Sequence, residues 1–127
     1  MGVMSIGNRK QEIKKKQVSG LSHWWHQKLT AFLLLPITIW FIISIPTFMS
    51  LDYLDKLNWL YNKPNCYLLA FFFIVSSYHM KLGLTVVIED YIHNDNLKKI
   101  LSIFISVIVL NIILLTLLLC AYKNLGG

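Results

Sequence analysis

At 127 residues the chain has room for one domain, and a composition 56% apolar and only 14% charged is too apolar to be hidden in a water-soluble core of that size. Twelve Lys and Arg against six Asp and Glu leave a net charge of +6, and Arg9, Lys10, Lys14, Lys15 and Lys16 crowd together just ahead of a long apolar run. That placement marks a membrane-topology signal and argues against a nucleic-acid surface.

In chain order, residues 1–22 form a basic polar tail. The segment Ser22-His23-Trp24-Trp25-His26-Gln27-Lys28 follows, placing donors and aromatics where the head of an anionic or amphipathic ligand, or simply the membrane interface, would lie. No charge occurs between Lys28 and Asp52, so residues 29–51 can span a bilayer. Pro36 removes one backbone hydrogen bond inside that span and predicts a kink. A 52–65 loop leads to a second span, residues 66–88, whose one charge is Lys81. A short 89–99 loop precedes an uncharged third span over residues 100–122. At ~1.5 Å per residue each run covers roughly 34 Å, enough for a ~30 Å hydrocarbon layer. Helix is the required state, since three strands could not close a barrel in lipid. The fold class is therefore an all-α membrane protein of three transmembrane helices in one domain, 1–127.

Six cations on the N-terminal side of the first span, with Lys98 and Lys99 in the 89–99 loop, outnumber Lys56, Lys63 and Lys123 on the other side. The N-terminus is expected on the cytoplasm or matrix side and the C-terminus on the opposite side. Cys66 and Cys120 fall in no C-x-x-C pair and no disulfide framework, and read as buried free thiols.

Polar groups at membrane depth are the best functional pointers in such a chain. The second span centres near Ser77, so His79 lies only ~3 Å from its midplane. An imidazole there needs a hydrogen-bonded neighbour, a proton path or a metal. At ~100° per residue Ser76, Gly83, Val86 and Asp90 share its stripe, whereas Lys81 points away. Gly83 carries no side chain, so a flat macrocycle or another helix could approach. No other histidine reaches that depth, and a six-coordinate bis-histidine haem would need its second ligand from another chain. Asp90 and Tyr91 close the same helix about three turns on, where a phenol could donate to a quinone carbonyl and a carboxylate could relay protons. In the third span Ser106, Asn111 and Thr116 read as hydrogen-bonding glue between helices.

The string His79-Met80-Lys81-Leu82-Gly83-Leu84-Thr85-Val86-Val87-Ile88-Glu89-Asp90-Tyr91 resembles the H-x3-G-x6-D-Y signature of the smaller of the two succinate dehydrogenase membrane anchors. The H-W-W-x-Q-K-x-T-A string at 23–31 resembles the same family's approach to its first helix. The resemblance implies that His79 is an axial ligand of haem b, shared with a second, larger anchor subunit; Ser76 and Gly83, on its stripe, would then pack against the macrocycle. It implies that Tyr91 hydrogen-bonds ubiquinone with Asp90 in support, and that His23 and Lys28 lie near the haem propionates or the interface. The family usually has Arg at the position of Lys28, and Lys keeps the charge without the planar fork. The implied activity is that of a non-flavin subunit of succinate:ubiquinone oxidoreductase, complex II, with no complete active site in this chain. An iron–sulfur subunit and, indirectly, a flavoprotein are its implied partners, beside membrane lipid. The implied location is the mitochondrial inner membrane or a bacterial cytoplasmic membrane. A quinol:fumarate reductase anchor and a cofactor-free structural membrane subunit are the rival readings.

Overall fold

The computed structural model describes residues 6–126, without the side chains of 15–19, 123, 124 and 126. Lys15, Lys16 and Lys123, counted in the charge bias, therefore lie outside the described side chains. The described chain is all helical: α1 (Ile6–Ser50), α2 (Tyr53–Tyr61), α3 (Lys63–Tyr91) and α4 (Asp95–Gly126). Three apolar helical stretches are long enough to cross a membrane, Gly20–Ser50, Lys63–Tyr91 and Asp95–Tyr122.

Each stretch covers the span expected from the charge-free runs, apart from Leu51, and extends beyond it at its N-terminal end or at both ends, because a helix does not end where the hydrocarbon does. The extension is largest in α1, which begins at Ile6 inside the segment read as a polar tail. Its Lys, Gln, Glu and Arg residues lose little rotamer freedom in a helix. Pro36 and Pro46 both lie within the uninterrupted α1. The loop over 52–65 also contains more structure than expected. Its helix α2 docks on α1 through Trp59, stacked on Trp40 (ring centroids 6.2 Å, 11° between planes) and tilted against Phe48 at 5.2 Å.

The helix ends are set by local chemistry. Pro64 occupies the first turn of α3, where its missing N–H costs nothing. Asn65 Nδ2 then donates to the Trp59 carbonyl at 3.0 Å and fastens α2 to α3. Asn94 Oδ1 accepts from the backbone N–H groups of Asn96 and Leu97 at 3.0 and 3.3 Å, capping α4. Lys98 Nζ reaches back to the Glu89 carbonyl at 3.2 Å and closes the short α3–α4 connection.

Helix α3 is the middle element, packed on α1 along one side and on α4 along the other. Phe41 of α1 stacks on Phe72 of α3 at 4.6 Å. Buried apolar side chains are few (Ile37, Ala70, Leu82, Ile88 and Val109), while large residues such as Phe32, Ile43, Phe104 and Leu118 remain exposed. A chain this thin is stabilised in lipid by close packing and internal hydrogen bonds rather than by withdrawing an apolar core from water.

Polar residues of the spans mostly satisfy themselves. Ser44, Ser77, Thr85, Ser106, Asn111 and Thr116 each donate to the carbonyl four residues earlier in their own helix, at 2.7–2.8 Å. The reading of Ser106, Asn111 and Thr116 as glue between helices is thereby corrected: the nearest acceptor in an apolar medium is the helix's own carbonyl row. The cysteines differ as well. Cys66 and Cys120 are half-buried rather than buried, and their sulfurs lie 2.7 Å apart across the α3–α4 contact.

Candidate functional site

Two contacts between side-chain polar atoms of different membrane-spanning helices stand out among the described residues. One is the cysteine pair. The other lies at the depth singled out by the sequence: Thr30 Oγ1 of α1 and His79 Nδ1 of α3 are 2.8 Å apart. Thr30 is buried, with 7% of its surface exposed.

The protons of this contact follow from valence. Thr30 Oγ1 also lies 2.9 Å from the His26 carbonyl and 3.0 Å from the Gln27 carbonyl, and carbonyls only accept. Sending the single hydroxyl proton to His79 would leave two carbonyl oxygens facing hydroxyl lone pairs at hydrogen-bond distance. The hydroxyl therefore donates to its own helix, and His79 Nδ1–H donates to the hydroxyl oxygen. A neutral imidazole so arranged keeps an unshared pair on Nε2, the form that ligates a metal.

Near His79 the surface of α3 is open. Gly83, one turn along α3, has no atom within 4 Å of where a Cβ would stand. Ser76 and Val86, on the same stripe, are half-buried. No group of three or more His, Cys, Asp or Glu side chains among the described residues could cage a bare metal ion. A single imidazole is a sufficient protein ligand where a macrocycle fills the equatorial positions. The donor set therefore suits haem better than a protein-caged ion.

Along α1, His23, His26 and Gln27 fall within ~60° of Thr30 on a helical wheel and share its side of the helix. His23 and Gln27 are half-buried. His26 Nδ1–H donates to the Ser22 carbonyl at 2.7 Å, which ties its ring to the helix. Lys28 occupies the other side of α1. Its ammonium stands 4.1 Å from the Trp24 ring centroid, and Trp24 meets Trp25 edge-on at 5.4 Å. Lys28 also borders a cleft of about 460 Å³ with Trp25, His26, Leu29 and Phe32. The structure thus places His23, and not Lys28, on the His79 side of α1.

Asp90 and Tyr91 stand apart from His79 at the end of α3. Both are exposed, Tyr91 to 77%, and their side chains have no hydrogen bond or ion pair among the described residues. The sequence-marked His79 thus sits in a part-buried imidazole–hydroxyl pair and, roughly 17 Å further along the axis, Asp90 and Tyr91 form an exposed acid–phenol pair. Sequence reasoning alone misses Thr30 as a partner, although it stands in the H-W-W-x-Q-K-x-T-A string, because 49 residues separate it from His79.

The sequence matches over residues 6–118 the family described as succinate dehydrogenase/fumarate reductase transmembrane subunit. The chain belongs to that family. Among its relatives, a succinate dehydrogenase hydrophobic membrane anchor subunit of Rickettsia felis is 35% identical over 98 residues, covering 76% of this chain and 81% of the relative. A succinate dehydrogenase membrane anchor subunit of Reclinomonas americana is 31% identical over 90 residues, covering 68% and 74%. No solved structure matches. The anchor is accordingly a multi-pass protein of an inner or cytoplasmic membrane, and it serves succinate dehydrogenase as one subunit among others.

Proposed function

We propose that this anchor holds haem b through His79 Nε2 and forms part of the ubiquinone-reducing pocket of a succinate:ubiquinone oxidoreductase through Tyr91 and Asp90. The observation that carries the reading is the Thr30–His79 hydrogen bond, which engages Nδ1–H and leaves Nε2 as the unprotonated nitrogen, with open space one turn along α3 at Gly83. The names of the relatives favour succinate oxidation over the fumarate reductase reading.

Haem bound there would supply a one-electron redox centre inside the bilayer, and the other anchor subunit would complete its protein surroundings. This chain's contribution is to orient the ligand. Thr30 holds Nδ1–H, prevents ring rotation and raises the basicity of Nε2. His23, half-buried on the same side of α1, is suited to meet a propionate nearer the interface. Lys28 neutralises negative charge from the opposite face.

Ubiquinone reduction consumes two electrons and two protons. Electrons arrive from an iron–sulfur partner subunit, because this chain has no cysteine cluster of its own. Tyr91 Oη–H donates to a quinone carbonyl and stabilises the negative charge that develops on its oxygen. Asp90, exposed beside it, takes one proton from water and passes it to that oxygen, and the second proton goes to the quinone's other oxygen. The purified complex tests the reading. A reduced-minus-oxidised spectrum should show a b-type signal in the wild type that is lost in His79→Ala, with succinate oxidation by an artificial dye retained. An unchanged b-type signal in His79→Ala rejects the ligand assignment.

A further inference from the structure

Cys66 and Cys120 are the only cysteines of the chain, and 54 residues separate them. Helix packing nevertheless brings their sulfurs to 2.7 Å, with Cys120 Sγ also 3.7 Å from the Cys66 carbonyl. Cys66 is the fourth residue of α3, and Cys120 lies two residues before the end of the third apolar stretch. Both are half-buried at one rim of the spans, beside α2 and within the cleft that Leu60 and Tyr61 share. Such a position is within reach of an oxidant from water. The Lys and Arg bias puts this rim on the side away from the cytoplasm or matrix. In bacteria that side is kept oxidising.

We propose that Cys66 and Cys120 form an intrachain disulfide that ties the start of α3 to the end of α4. The oxidant is the disulfide of a thiol–disulfide oxidoreductase. One cysteine, as thiolate, attacks it to give a mixed disulfide, and the second displaces the oxidant's thiol. Two S–H bonds of the anchor are lost and one S–S bond forms, while the oxidant takes up two electrons and two protons as a dithiol. The bond closes a loop containing most of α3 and α4, so that the middle helix cannot separate from α4 at this rim. The proposal is independent of the haem reading, whose residues lie more than two turns away along α3.

The test uses the intact complex, isolated from its native membrane with maleimide present throughout and then denatured in detergent. Mass analysis of this chain should find no adduct before reduction and two after it. Two adducts before reduction overturn the proposal. Two adducts released by a chelator alone also overturn it, in favour of a soft metal cation held by the thiolates. In Cys66→Ser the remaining Cys120 should take up maleimide without reductant. If it does not, the protection has another cause and the proposal falls. Sealed vesicles, reduced beforehand, should be labelled by a membrane-impermeant maleimide only from the face opposite the N-terminus, and labelling only from the N-terminal face contradicts it.

Discussion

The cysteine pair and the Thr30–His79 pair, each joining α3 to a neighbouring span, are unlike in what they leave over. Toward one rim, Cys66 and Cys120 face each other, and each sulfur's obvious partner is the other. Deeper in the helix, Thr30 and His79 also meet, but Thr30 spends its proton on α1 and His79 spends only Nδ1–H. A closed pair fastens helices. A pair with an unused lone pair fastens helices and also offers a ligand. Burial alone would not separate the two, since His79 and both cysteines are half-buried. The distinction comes from counting protons and acceptors.

The contrast can be broken most forcefully at Thr30. Thr30→Val keeps the shape and removes the acceptor for Nδ1–H, and loss of such an outer partner typically costs about 10–100-fold in metal-site affinity. Haem titration of the purified complex should show a loss of that size. The haem midpoint potential should also move, and Thr30→Ser should restore both. Equal behaviour of the Val and Ser variants would mean that the hydroxyl merely fills space.

Trp59→Ala sharpens the other end. It removes the ring that stacks on Trp40 and packs on Phe48, and a half-buried Trp should cost about 2 kcal/mol, below the ~3–5 of a fully buried one. A lower midpoint of thermal unfolding with an unchanged haem spectrum is the expected pattern. Tyr91→Phe deletes one hydrogen bond to the quinone. It should slow ubiquinone reduction about tenfold, the effect of ~1.4 kcal/mol, while dye-linked succinate oxidation is retained. Asn94→Ala removes the α4 cap at about 1 kcal/mol and should lower only the unfolding midpoint.

The spans are legible in the sequence because charge is excluded from hydrocarbon over a known thickness, and that constraint is local. His79 is legible for the same reason. Its partner is not, because pairing across 49 residues depends on the relative rotation of α1 and α3, which hydropathy does not encode. The available signal is a threonine on the same helical side as His23, within one motif. The cysteine pair is hidden for the same cause, across 54 residues. Helix α2 is more accessible than its reading as a loop allows, since Leu54, Leu57 and Leu60 recur at helical spacing with Trp59 beside them. Asn111 shows the reverse error. A polar residue at mid-span invites a partner on another helix, yet the carbonyl of Val107 is nearer.

The most direct measurement replaces the imidazole and then gives it back. The complex carrying His79→Gly, purified with its partner subunits, should lack the b-type signal. Added haem together with free imidazole should restore it, because the small molecule occupies the vacated ligand position. A wild-type spectrum in His79→Gly before imidazole is added would contradict the account.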